Sequence, residues 1–154
     1  MRTFLEILGF ELRYQLKSPL FFGVLAAFFL LHLCVMTSTG INLGDNDLVQ
    51  LNGQYMVNYT VMAFTLFILL PIIFFVLVSI NRDHDYHTAE FFFSVPIPKT
   101  SYFLGRFAGS LLPTLLIALA GILACLIGPF TPLAATERLG PFSLAPYRYA
   151  FFVF

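Results

Sequence analysis

Three long apolar runs constrain this chain more than any other feature. They lie at about Leu20–Val35, Val57–Ile80 and Leu104–Ile127. A helix needs roughly 17–25 apolar residues to cross a bilayer, so the first run is near the short limit and the other two are ample. Backbone in lipid has to satisfy its own hydrogen bonds, which leaves helices as the way for such runs to span. The expected fold is therefore all-α, a polytopic membrane helix bundle. Charge supports this: 10% of residues are charged, where a soluble domain carries about a quarter. The formal net charge is zero, which gives no electrostatic footprint for nucleic acid. A fourth apolar run begins near Tyr149 and reaches Phe154. It reads as the start of a truncated fourth span, and the chain as the N-terminal part of something longer.

The basic residues set an orientation. Arg2, Arg13 and Lys17 precede the first run, and Arg82, Lys99 and Arg106 flank or occupy the loop at 81–103. The segment Thr37–Met56 has no Lys or Arg, and the last loop carries only Arg138, with Arg148 at its edge. Lysine and arginine accumulate on the cytoplasmic side. The N-terminus and the 81–103 loop are thus expected in the cytoplasm of a multi-pass protein of the plasma (bacterial inner) membrane. The first run is too long for a signal-peptide core, and no small-x-small cleavage site follows it.

Residues 1–18 form a separate element. Leu5, Leu8, Leu12 and Leu16 recur at helical spacing, widened by Phe4 and Ile7, with Arg2, Glu6, Arg13 and Lys17 opposite. That pattern predicts a helix in the membrane interface. Ser18-Pro19 breaks it, since proline suits the first turn of the next helix. Pro71 and Pro113 interrupt the second and third spans and are candidate bending points. Gly105 and Gly109 make a G-x-x-x-G pair, a spacing that lets helices approach closely.

The loop NRDHDYHTAEFFFSVPIPKTSYFLGR, Asn81–Arg106, has a polar start, the apolar knob Phe91-Phe92-Phe93 and two prolines as a stop. Three phenylalanines in water are costly unless something covers them. Other chemistry is thin. His84 and His87, near Asp83, Asp85 and Glu90, fit a solvated acid-rich helix start better than a metal site, and the H-E-x-x-H pattern is absent. His32 lies inside the first span, where an ionisable residue is a functional candidate, but near enough its end to snorkel or bond across helices. Cys34 and Cys125 fall in spans and read as small apolar packing residues. Asn58-Tyr59-Thr60 matches a glycosylation sequon by chance at a membrane boundary. There is no G-x-x-x-x-G-K-[ST] loop and no G-x-S-x-G elbow. The chain is not expected to be an enzyme.

Arg82-Asp83, Thr88-Ala89-Glu90, Ser94-Val95-Pro96-Ile97, Lys99 and Gly105-Arg106 together resemble the first cytoplasmic loop of type-2 ATP-binding-cassette (ABC) permeases. Phe10-Glu11-Leu12-Arg13 and Lys17-Ser18-Pro19 look like the elbow helix of the same family. The resemblance implies a permease subunit, by family default an exporter, working by alternating access. ATP would be bound by a separate cassette ATPase, so this chain holds no cofactor itself. It would pair with a second permease half or with its own copy. The loop would form a coupling helix at about His84–Phe93 that docks on the ATPase through His84, Glu90, Phe91, Phe92 and Phe93. The alternatives are a non-transporting membrane anchor, or the membrane domain of a permease fused to a gluzincin-type aminopeptidase, which the opening residues also resemble.

Overall fold

The computed structural model describes residues 2–37, 49–87, 94, 98–134 and 136–153, with the side chains of Asp83, His84, Thr136 and Val153 outside that description. The secondary structure described there is helical. Helix α1 spans Arg2–Leu16, α2 Pro19–Thr37, α3 Gln54–Asp85, α4 Lys99–Ile127 and α5 Ala145–Val153. Two 3-10 turns, Gly128–Phe130 and Thr136–Arg138, lie between α4 and α5. Three of these helices, α2, α3 and α4, are long and apolar enough to cross a membrane.

The breaks follow local chemistry. Pro19 lacks a backbone N–H and takes the first position of α2, where that donor would be unsatisfied anyway. The Ser18 N–H closes the end of α1 on the Gln15 carbonyl at 3.0 Å. No breaker follows Ile80, so α3 runs past the expected boundary to Asp85. It is stopped two residues later, where His87 adopts φ 53°, a left-handed conformation that cannot continue a right-handed helix. His84 therefore lies within α3, and the separate helix expected from His84 does not begin there. At the other side of the loop, α4 starts at Lys99 rather than near Leu104. The Tyr102 N–H reaches the Pro98 carbonyl at 3.1 Å, so proline again serves as the starter.

Both interior prolines sit inside continuous helix. Pro71 cannot donate to the Phe67 carbonyl, nor Pro113 to that of Gly109, and each helix continues without that bond.

The chain divides into two compact units. Unit 1 comprises 1–23 and 69–115, and unit 2 comprises 24–68 and 116–154. Unit 2 has a mainly apolar interior built on Met36, Val57, Val61, Ile122 and Cys125, to which α5 adds Tyr147 and Ala150. Cys34, by contrast, is exposed. His32 is buried beside this core, with its Nδ1–H donating to the Phe28 carbonyl at 2.8 Å. Its ring centroid lies 4.6 Å from that of Phe64. At one edge of unit 2 the Asn52 amide clasps Gly140, with Nδ2 donating to the Gly140 oxygen and Oδ1 accepting from its nitrogen, both at 2.8 Å.

Candidate functional site

Unit 1 is organised around a buried carboxylate. Glu11 projects from α1 and is fully buried. Arg82, in the last turn of α3, reaches it with Nη2 at 2.6 Å from Oε2 and Nη1 at 3.4 Å from Oε1. Arg106, in the second turn of α4, donates from Nη1 to the same Oε2 at 2.8 Å and to the Ser79 carbonyl at 3.3 Å. Gln15, one turn after Glu11, donates from Nε2 to Glu11 Oε1 at 3.2 Å and to the Phe75 carbonyl at 3.3 Å. Both neighbours of that amide are acceptors, which fixes its orientation.

Aromatic rings complete the shell. The Arg82 guanidinium carbon lies 4.1 Å from the Tyr14 ring centroid and 5.4 Å from that of Phe10. Arg106 lies 5.4 Å from the Tyr102 centroid. Stacking of this kind suits arginine, whose planar cation is weakly hydrated. One carboxylate thus holds two guanidiniums. Charges so deeply buried are stable only when paired, and here a single residue of α1 pairs charges from α3 and α4.

The small residues on α4 make that reach possible. A Cβ at Gly109 would stand 2.6 Å from Glu11 Cβ, and one at Gly105 would stand 2.9 Å from Ile7 Cγ2. Any larger side chain would push α1 away and lengthen the ion pairs. The face of α1 turned toward α3 and α4 is polar. Glu11 and Gln15 are its buried residues, whereas Leu5 is exposed. The polar residues of α1 face the ends of α3 and α4 because those ends bring the matching charge.

The remaining site residues expected from the sequence fall elsewhere. Glu90, Phe91, Phe92 and Phe93 lie outside the described residues, and of His84 only the backbone position in α3 is described. Pro71 and Pro113 belong to unit 1 and are buried. Among the described residues no group of three or more His, Cys, Asp or Glu side chains is placed to hold a metal ion. Glu11, Arg82 and Arg106 stand in separate motifs of the sequence, with no spacing that joins them. The signal is faint: Glu11 lies between Phe10 and Leu12 and Arg106 between Gly105 and Phe107, but Arg82 lies in a polar run, and nothing local pairs the three.

No protein-family model, curated protein or solved structure matches the chain.

Proposed function

We propose that this chain belongs to the membrane domain of an ABC-type permease, an exporter driven by a separate cassette ATPase. In this reading α1 is the elbow helix in the interface, α5 begins a fourth span, and the segment between α3 and α4 docks on the ATPase from the cytoplasm. One observation carries most weight. The two helices flanking that segment are joined through Glu11 to α1, by bonds of 2.6 Å to Arg82 and 2.8 Å to Arg106. A push delivered between residues 86 and 98 would reach three helices at once, because the buried pairs resist separation far more than apolar contacts do. Pro71 and Pro113, each missing a backbone bond, would be the places where α3 and α4 bend.

The test is a pull-down of the full-length protein with the cassette ATPase encoded beside it, comparing wild type with a Glu90→Lys, Phe92→Asp double variant. Capture by wild type and loss in the variant is the expected result. No capture, or capture indifferent to the loop, removes the permease reading. It would favour a non-transporting membrane anchor, which the mainly apolar interior of unit 2 would also suit.

A further inference from the structure

The connection from α4 to α5, residues 128–144, is built inside out for a loop in water. Its charged residues are Glu137 and Arg138 alone. Phe130, Leu133, Phe142 and Leu144 are each more than half exposed. Phe130 and Phe142 come from opposite ends of the connection, yet their ring centroids lie 5.5 Å apart. The two ends therefore share one apolar patch, and a patch, unlike a lone exposed side chain, needs an explanation.

Many of its polar groups turn inward instead. The Leu51 N–H donates to the Arg138 carbonyl at 3.0 Å, and Arg138 Nη2 donates to the Val49 carbonyl at 3.3 Å. Both backbone groups of Gly140 are held by Asn52. The Thr131 hydroxyl and N–H both donate to the Gly128 carbonyl, at 2.7 and 3.1 Å. The Ala134 N–H in turn donates to the Thr131 carbonyl at 3.1 Å. A segment in water can leave such groups to solvent, whereas one against lipid has to satisfy them within the protein.

We infer that this connection is a docking surface for the bilayer, lying in the headgroup–acyl boundary of the leaflet that α4 reaches at its Ile127 end. Phe130, Leu133, Phe142 and Leu144 enter the upper acyl region, and the exposed Glu137 stays in water. Level and continuity select lipid over a protein partner. Phe130 follows closely on the apolar run that ends at Ile127, about 5–6 Å further along the axis. Interfacial elements sink roughly 5–10 Å into that boundary. The Asn52 clasp fixes Gly140 beside the start of α3, where Tyr55 and Tyr59 are exposed and stacked at 5.9 Å. Tyrosine gathers at the level of the headgroups. At its other end the connection enters α5, whose Phe151 and Phe152 are also exposed. The inference needs α4 to cross the bilayer but not the ATPase-coupled reading, so the pull-down and the quenching experiment fail independently.

The chain contains no tryptophan, so a single one placed in it reports its own surroundings. Leu133→Trp, Phe142→Trp and Glu137→Trp, each at an exposed position, are compared in the full chain in phosphatidylcholine nanodiscs. The quenchers are spin-labelled phosphatidylcholine and aqueous iodide. Leu133→Trp and Phe142→Trp are expected to be quenched about twofold more by a label near the headgroup than by one near the chain end, as an interfacial depth requires, and to resist iodide. Glu137→Trp should be quenched by iodide. Iodide quenching at 133 and 142 would place the connection in water, and stronger quenching by the deep label would place it in the hydrocarbon core. Emission at both positions that neither quencher reaches would mean that protein covers the patch, a second copy included. Resistance of Glu137→Trp to iodide would remove the wet edge. Each of these results would overturn the docking surface.

Discussion

The two units solve the problem of an interior in opposite ways. Among the described residues, the buried hydrophobic side chains of unit 1 are Phe21 and Phe75, set among buried Glu11, Gln15, Ser79, Arg82, Arg106 and other polar groups. In unit 2 the proportions reverse, with Met36, Val57, Val61, Ile122 and Ala150 dominant and His32, Asn52 and Thr60 the polar minority. Between helices in lipid, apolar side chains gain packing but little hydrophobic drive, since the tails are as apolar as they are. Unit 2 therefore depends on fit. Unit 1 depends on the pairing of its buried charges.

That contrast predicts a ranking of substitutions, read by thermal melting in detergent. Glu11→Ala should be the most damaging, at about 3–5 kcal/mol, because two buried guanidiniums lose their counter-charge. Replacing Glu11, Arg82 and Arg106 together with Leu, Leu and Met should recover much of that loss, since no unpaired charge remains. The contrast fails if the triple variant melts no higher than Glu11→Ala.

Next comes Met36→Ala in unit 2, at about 2 kcal/mol, the lower end for a buried large-to-small change because lipid or detergent already resembles the lost surroundings. A Met36→Ala cost above that of Glu11→Ala would reverse the comparison. Gly109→Ala should cost about 1–3 kcal/mol by overpacking against Glu11. Gly121→Ala, whose Cβ would meet the His32 ring at 2.8 Å, should cost less, because a ring moves more easily than a helix held by two ion pairs. Equal losses at the two glycines would show that α1 shifts freely.

Asn52→Ala removes both bonds to Gly140 and should cost about 1–2 kcal/mol. At the bottom, Arg2→Ala should leave melting unchanged. Its pairing with Glu6 is an i,i+4 contact with side chains 94% and 63% exposed, where water competes for both ions.

Much of this was legible in the sequence. Apolar runs of spanning length showed where α2, α3 and α4 would lie, and Ser18-Pro19 marked the break after α1. The helix ends were less legible. Residues such as Asp83 and Lys99 neither favour lipid nor stop a helix, so hydropathy places the boundary where apolarity fades and the backbone carries on. The left-handed turn at His87 was hidden because histidine, unlike glycine, does not advertise it. The ion cluster was illegible for a different reason. Glu11 and Arg106 are 95 residues apart, and helical periodicity reports neighbours three or four positions away, not which distant helices will meet. The leucines of α1 report an amphipathic helix and say nothing of a carboxylate facing inward.

The Glu11 cluster also imposes an order on biogenesis. Arg82 follows Glu11 by 71 residues and Arg106 follows it by 95. At about 5–20 residues per second, a ribosome takes roughly 5–20 s to supply the second arginine after the glutamate. Until Arg82 arrives the carboxylate has no counter-charge, and until Arg106 arrives the cluster that seats α1 is incomplete. The first helix to be translated is thus the last of unit 1 to lock, and it does so only after the start of α4 has left the ribosome. Nascent chains arrested before Arg106 should leave α1 open to protease, and chains arrested well beyond it should not.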